Sequence, residues 1–451
     1  MRRGTRKRYI DRLSDAQRRR LRRRLLGWFR KAKRDLPWRR TRDPYAIWAA
    51  EVMLQQTQVG TALPYYERFL ARFPTIQALA RASDEAVLKT WQGLGYYRRA
   101  LNLQAAARRV VREHGGRVPS DPAVFAALPG VGRYTCGAVQ SIAFGRRLAA
   151  LDGNAARIIS RWLAVTDTVT GGAAMRGLWE AAEALVPQTS PGDWNQAVME
   201  LGSAVCMPRG PRCGECPVAE VCIARARGIQ ERIPKRRKRK AVPHIEVGVG
   251  IIWRGRGPIP PHPTLSRKGR GKTREASRRR GGGRVLLCRR RPEAMLGGLW
   301  EFPGGKRRGG ESIRACIRRE LREECGLEVE VGEHLVDVMH AYSHLRVTLR
   351  CYHGRAPRGR ARALGCTEAR WVRPGEIAEY PLPAADVKIL EAMGEERDCG
   401  FRIADCGLNG KRQKQQRKTP SPYPLPQGER EKRARRDPSP ASTDGRARGD
   451  K

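Results

Sequence analysis

From about Leu25 to Arg225 apolar residues recur at three- and four-residue steps, as in "PYAIWAAEVMLQQTQV" and "RALNLQAAARRVVREH". That period lays apolar side chains along one stripe of a helix, so the stretch predicts helix after helix. Pro and Gly punctuate the helices, and little in between alternates as a strand would. After a basic, proline-flanked linker ("GIQERIPKRRKRKAVPHIE") the pattern changes. "VGVGIIW", "RVLLCRR", "LEVEVGEHLVDVMH" and "LRVTLRCYH" read as strands, with one amphipathic helix among them. The pattern predicts a multidomain chain: a basic N-terminal segment over 1–24, an all-α domain over 25–227, a linker over 228–243 and an α+β domain over 244–398. Two segments rich in Pro, Gly, Arg and Lys, 254–283 and 399–451, lack the apolar residues a core needs. The first is expected to be a disordered insertion between two strands of a hairpin, the second a disordered basic tail. They share a short likeness, "PHPTLSRKGRG" and "PYPLPQGERE".

Charge sharpens this picture. The 451 residues carry a net charge of +46, and residues 2–34 hold sixteen Lys/Arg against two Asp. Such an excess favours a polyanionic partner, because each phosphate neutralised releases a condensed counterion. No apolar run approaches the ~20 residues of a membrane helix. The basic start lacks the apolar region of a secretory signal. The expected setting is the bacterial cytoplasm and its nucleoid, where disulfides are rare.

Four of the twelve cysteines then need another explanation. Cys206, Cys213, Cys216 and Cys222 are spaced C-x6-C-x2-C-x5-C. Four thiols so close in a reducing compartment suit zinc or an iron–sulfur cluster. The other eight are scattered and read as ordinary buried or surface thiols. In "ALPGVGRYTCGAV" a short turn, Gly130-Val131-Gly132, joins two helices and lets backbone N–H groups approach a phosphate.

The cysteine loop resembles the [4Fe–4S] loop of helix-hairpin-helix DNA glycosylases, and the Gly-rich turn resembles their hairpin. With "RDLPWR", "AAEVMLQQTQV", "GLGYYRRA", "LDGNAARIISRW" and "WNQAVMELG", the chain closely resembles the adenine DNA glycosylase (MutY) family from about Leu25 to Cys222. The resemblance implies a catalytic acid at Glu51, an anionic partner for the sugar cation at Asp152, and Tyr134 and Asn154 to orient them. This matches the chemistry: excision needs adenine protonated and an oxocarbenium-like sugar faced by a carboxylate. Glu51 lies among apolar neighbours in "AAEVML", where its pKa should rise. Tyr134 stands where the related endonuclease III group has its Schiff-base lysine, which implies a monofunctional enzyme. Leu36, Trp38, Arg39 and Gln196 fall at positions of the family's adenine pocket. Gln55, Gln56, Thr57 and Tyr96 fall at positions that meet or wedge the duplex; Tyr97 reads as core. The implied partner is duplex DNA with adenine opposite 8-oxoguanine or guanine, bound by a monomer.

In the second domain, "GGKRRGGESIRACIRRELREECGLEV" resembles a complete Nudix box, and with "GGLWEFPGGK" and "HAYSHLRVTL" the domain resembles the Nudix-like lesion reader of the same family. Tyr342, Ser343 and His344 fall on its 8-oxoguanine loop, where members often have Phe in place of Tyr342. Members usually carry a degenerate box, so this complete one is a departure. It implies a magnesium site on Glu320, Glu323 and Glu324, with Gly304 offering a carbonyl, and a secondary 8-oxo-dGTP diphosphatase activity.

Overall fold

The computed structural model describes residues 9–169, 172–235, 241–255, 283–342, 345–357 and 359–395. The expected insertion and tail, and the loop residues Ser343 and His344, fall wholly or almost wholly outside these. Helices fill the first part: α1 (Asp15–Ala32), α2 (Pro44–Leu54), α3 (Val59–Arg72), α4 (Ile76–Arg81), α5 (Asp84–Trp91), α6 (Arg98–His114), α7 (Pro122–Ala126), α8 (Arg133–Phe144), α9 (Gly153–Trp162), α10 (Gly172–Leu185), α11 (Pro191–Ala204) and α12 (Ile223–Ala226). None of the described helices is long and apolar enough to cross a membrane.

The helical part begins earlier than residue 25. Ser14 caps α1 in a reciprocal capping box with Gln17, and Leu21, Leu25 and Phe29, four residues apart, are buried on one stripe. The arginines between them occupy the other faces of the same helix. Two apolar cores follow. One gathers α2, α3, α5, α6 and α8 around Trp48, Phe69 and Trp91; the other gathers α1, α9, α10 and α11 around Trp162 and Trp194. Helices α8 and α11 approach closely, and Gly137 of α8 meets the irregular segment that follows the helix. A Cβ there would stand 1.9 Å from the Ala149 carbonyl, so no other residue fits.

The second part is a mixed sheet of seven described strands: β1 (His244–Arg254), β2 (Arg284–Arg289), β3 (Trp300–Glu301), β4 (Gly304–Lys306), β5 (Glu330–Ala341), β6 (Arg346–Arg355) and β7 (Glu368–Val372). Their order is β3-β2-β1-β6-β5, with β4 on β1 and β7 on β2. β1 and β6 run parallel over ten paired residues, and the other pairs are antiparallel. The strands flanking the insertion pair as expected of a hairpin, Trp253 opposite Val285. Helix α13 (Ile313–Cys325), which carries the box, covers one face, and α14 (Ala384–Glu395) covers the other. Ile251, Trp253, Val285 and Leu287 face α14, whereas Ile252, Leu286 and Cys288 face α13. Burial on both faces is why these strands read as continuous apolar runs.

A packed seam joins the two parts. Leu299 is buried in the core of the helical part. Trp300 Nε1 donates to Glu85 Oε1 at 2.8 Å, and Lys89 Nζ donates to the Tyr380 carbonyl at 3.2 Å and to the Ala378 carbonyl.

Candidate active site

Glu51 sits on the third turn of α2, whose start is fixed by Asp43 accepting from the Tyr45 and Ala46 N–H groups. α2 is buried on nearly every side, so Glu51 is only 4 % exposed. Burial pushes its pKa up to about 7, against the opposing hydrogen bond from Tyr134; the Asp152 charge pushes the same way as burial. Near neutral pH the group is therefore a carboxylic acid for much of the time. Tyr134, on the first turn of α8, donates its hydroxyl to Glu51 Oε2 at 2.7 Å. Burial, followed by the Glu51 and Asp152 charges, holds Tyr134 well above the usual phenol range, so it stays a donor.

Asp152 is the N-cap of α9 and accepts from the Ala155 N–H at 2.7 Å. Asn154 Nδ2 donates to the other Asp152 oxygen at 3.1 Å, and Arg157 donates to Asn154 Oδ1 at 2.9 Å. The carboxylate is thus fixed by a helix start, where negative charge is stabilised. The four residues form two hydrogen-bonded pairs, Tyr134 on Glu51 and Asn154 on Asp152, near enough for the Asp152 charge to act on the first pair.

Trp38, Arg39 and Gln196 line one cavity of about 140 Å³, together with Arg42 and Asp193. Leu36 is buried nearby in the apolar core and does not line it. Arg39 donates to Glu200 Oε2 at 2.8 Å, and Arg34 donates to Glu200 at 2.6 and 2.9 Å. Glu200 is 1 % exposed, and the arginine pair holds its pKa down although burial, the largest single influence, raises it. Neither Glu200 nor Arg157 stood out in the sequence, although both lie inside stretches quoted for their neighbours.

On the side towards solvent, Gln55 caps the end of α2 and donates to Thr135 Oγ1 at 3.1 Å. Gln56 and Tyr96 both adopt left-handed backbone, φ 59° and 50°, which costs side-chain-bearing residues strain. Tyr96 is 43 % exposed, while Tyr97 is buried and its hydroxyl accepts from the Gly93 N–H. Arg99, a further residue the sequence did not flag, ties these pieces together. Its guanidinium donates to the carbonyls of Val52, Met53, Gln55 and Gly95, at 2.7, 3.0, 2.5 and 3.2 Å. Thr57 Oγ1 lies 3.5 Å away and the Tyr96 ring 5.3 Å. The Gly130-Val131-Gly132 turn joins α7 to α8; Gly132 is the N-cap, and no side chain caps the first N–H groups of α8. Gly130 has φ 73°, and a Cβ would meet Asn102 at 2.7 Å.

Residues 49–184 match the model of the HhH-GPD superfamily of base excision DNA repair proteins, and residues 276–392 match the NUDIX domain model. Over 396 residues the chain is 38 % identical to the adenine DNA glycosylase of Homo sapiens, covering 81 % of this chain and 72 % of that protein. With the adenine DNA glycosylase of Rattus norvegicus it shares 36 % over 410 residues, 83 % of this chain and 78 % of that one. The chain belongs to the adenine DNA glycosylase family. A solved thermostable thymine-DNA glycosylase is similar at 32 % identity and a TM-score of 0.43, over 47 % of this chain and 98 % of that chain.

The glycosylase-type cysteine loop wraps the end of α11. Cys206, Cys213, Cys216 and Cys222 are free thiols lining one small enclosure with Trp162 and Arg161. Arg161 Nη1 lies 3.1 Å from Cys206 Sγ, and burial pushes the Cys216 thiol up to about 12. Four free thiols lining one small enclosure are the ligand type of an iron–sulfur cluster. Arg157 Nε also donates to the Cys206 carbonyl at 3.0 Å, so one arginine touches both this loop and Asn154.

In the Nudix part Arg319 spans two of the box glutamates, its Nη1 donating to Glu320 at 2.7 Å and to Glu323 at 3.1 Å. Glu320 and Glu324 line a cavity of about 650 Å³ with Gly304, Arg290 and Arg308, whereas Glu323 is held by Arg308 and Arg319 at 3.3 and 3.1 Å. Among the described residues no three His, Cys, Asp or Glu side chains, those of the cysteine loop and of the box included, are grouped as they stand to hold a metal ion. Burial, then Glu301 and Glu320, push Glu324 up to about 7. Tyr342 is half-buried with its ring 4.6 Å from His340, and it shares a second cavity, about 540 Å³, with Tyr96, Arg98 and Met295.

Proposed function

We propose that this chain excises adenine mispaired with 8-oxoguanine or guanine in duplex DNA by hydrolysing its N-glycosidic bond, without cutting the strand. The observation that carries this reading is the buried Glu51 acid, hydrogen-bonded by Tyr134 and set beside the capped Asp152. Adenine turned out of the stack would enter beside Trp38, Arg39 and Gln196. Glu51 gives its proton to a ring nitrogen, the C–N bond breaks with its electrons staying on the base, and the Asp152 carboxylate faces the sugar cation. Glu51, now ionised, accepts a proton from the water that adds to that cation. Tyr134 and Asn154 keep the two carboxyl groups aimed. Tyr134 occupies the first turn of α8 where a lyase would need an amine, which supports hydrolysis alone.

Cys206, Cys213, Cys216 and Cys222 would hold a [4Fe–4S] cluster, which would fix the loop that Arg157 and Arg161 grip. The cavity shared by Tyr96 and Tyr342 supports lesion reading between the wedge and the Nudix part. A second reading rests on the other cavity. A complete box whose Glu320 and Glu324 share a 650 Å³ space with Arg290, Arg307 and Arg308 suits a nucleoside triphosphate, with magnesium supplying charge neutralisation at the phosphates. The deciding experiment is single-turnover adenine release from duplexes with adenine opposite 8-oxoguanine, guanine or thymine. Release should be fastest opposite 8-oxoguanine and slowest opposite thymine, with no borohydride-trapped adduct. Equal rates on the three duplexes, or efficient trapping, would sink the reading.

A further inference from the structure

Three cysteines far apart in the sequence meet behind the box helix. Cys288 lies on β2, Cys325 on the last turn of α13 and Cys366 in the loop ahead of β7. Cys288 Sγ and Cys325 Sγ are 3.4 Å apart, and Cys366 packs in the same apolar cluster, close enough for the three thiols to shift one another's ionisation. Cys288 and Cys325 are 1 % and 0 % exposed. Cys366, at 9 %, is also a wall of the open 650 Å³ cavity, alongside Glu301, Glu324 and Arg290. A single buried thiol is ordinary packing. Two buried thiols stacked under a third that faces a cavity form a graded arrangement that packing alone does not require.

The hydrogen bonds are polarised. Those from Cys288 and Cys325 hold the Cys366 thiol well below the usual range, while Cys288 is pushed well up, first by its hydrogen bond with Cys325. Cys366, the thiol at the cavity, is therefore the easiest of the three to ionise. Glu301 and Glu324 oppose it and Arg290 offsets them. The Cys366 loop is also tied to the box helix: the Arg362 N–H donates to the Cys325 carbonyl at 3.0 Å, and the Leu364 and Gly365 N–H groups donate to the Glu324 carbonyl at 2.9 and 3.0 Å. The loop thus caps α13, and its thiol lands on the helix's last turn.

We infer that Cys366 is an oxidation site for peroxides, resolved into a disulfide by one of the two thiols beneath it. The Cys366 thiolate attacks one peroxide oxygen, the O–O bond breaks, and hydroxide leaves to take up a proton as water. The sulfenic acid that remains is attacked by the Cys325 or Cys288 sulfur. An S–S bond forms, the S–O bond breaks, and a second water departs with the proton of the attacking thiol. One peroxide gains two electrons, and the two thiols lose two. The bond would pin the cavity wall to the residue after Glu324 or to the central strand beside it. Oxidation would thereby be registered at the same cavity that the box glutamates line.

The test treats the full chain with graded hydrogen peroxide, blocks remaining thiols, and maps peptides without reduction. A disulfide-linked peptide containing Cys366 should accumulate at doses that leave the isolated, fully buried Cys351 untouched, and a thiol reductant should remove it. Cys366→Ser should form no disulfide among these positions, whereas Cys325→Ser should still oxidise at Cys366. Oxidation of Cys366 only to sulfinic or sulfonic acid, with no disulfide, would overturn the inference. So would a Cys288–Cys325 disulfide forming in Cys366→Ser as fast as any disulfide forms in the unaltered chain, since Cys366 would then not be the attacking group.

Discussion

Replacing Glu51 by Gln keeps the shape of the buried side chain and removes its proton, so its effects on rate and stability separate cleanly. Burial moves the Glu51 pKa from 4.5 to about 7. At ~1.4 kcal/mol per unit this is roughly 3 kcal/mol of preference for the neutral form in the folded protein. The group is fully buried, so no discount for solvent screening applies. The sign follows from the raised value. The neutral acid's contribution to stability is fully present below about pH 4.5 and is lost as pH rises through about 7. Glu51→Gln should therefore lose stability less steeply than wild type between about pH 4.5 and 7, the gap between the two narrowing or reversing by roughly 3 kcal/mol and holding constant at higher pH. Catalysis needs the protonated form, so the single-turnover rate of wild type should fall about tenfold per pH unit above about 7. Glu51→Gln should be inactive throughout while binding the mismatched duplex nearly as tightly. The assay is adenine release with enzyme in excess from pH 5.5 to 9, beside fluorescence anisotropy on the same duplex. A wild-type rate that stays flat to pH 9, or a variant within a few-fold of wild type, would refute the acid role.

Two further outcomes follow from the same geometry. Cys213→Ser should lose the broad visible absorbance of a thiolate-ligated cluster together with DNA affinity, and a colourless, fully active Cys213→Ser protein would remove the cluster from the account. The full chain with 8-oxo-dGTP and magnesium should release monophosphate and pyrophosphate, and Glu324→Gln should abolish this without changing adenine excision; no turnover by wild type would leave the box as a scaffold for lesion reading.

What the sequence made legible was whatever is local. Periodic apolar stripes gave the helices, and the C-x6-C-x2-C-x5-C and box spacings are written within a few turns of chain. The start of α1 was obscured because charge was counted by segment: Leu21, Leu25 and Phe29 form a clear four-residue stripe beneath an arginine-rich composition. Glu200 and Arg157 act through partners 166 and 49 residues away, Arg34 and the Cys206 carbonyl, which no spacing rule reveals. Cys288, Cys325 and Cys366 read as scattered because only the pairing of β2 with β7 and the docking of α13 bring them together. Strands β3 and β4 escaped for a different reason: two and three residues long, they are too short to show a period.

The arrangement of the two parts bears on how a lesion and its mispaired adenine could be read at once. α5 makes the seam: its Glu85 accepts from Trp300 and its Lys89 donates to the Tyr380 carbonyl. The chain leaving α5 runs directly into Gly93–Tyr97, where Tyr96 projects into the cavity it shares with Tyr342. Arg99, at the start of α6, then holds the carbonyls at the end of α2, the helix that carries Glu51. Its side chain is half-buried, and desolvation lowers its pKa to about 10, so it remains charged and commits its donors to those carbonyls. The links through α5 and Arg99 are hydrogen bonds, whereas Tyr96 and Tyr342 line one cavity from positions just outside α6 and β5. The seam at α5 and the Arg99 clasp therefore tie the Nudix part to the helix that carries Glu51. A duplex gripped at both must present its two bases to parts that are tied together, which favours one base pair with one base turned out over two independent encounters.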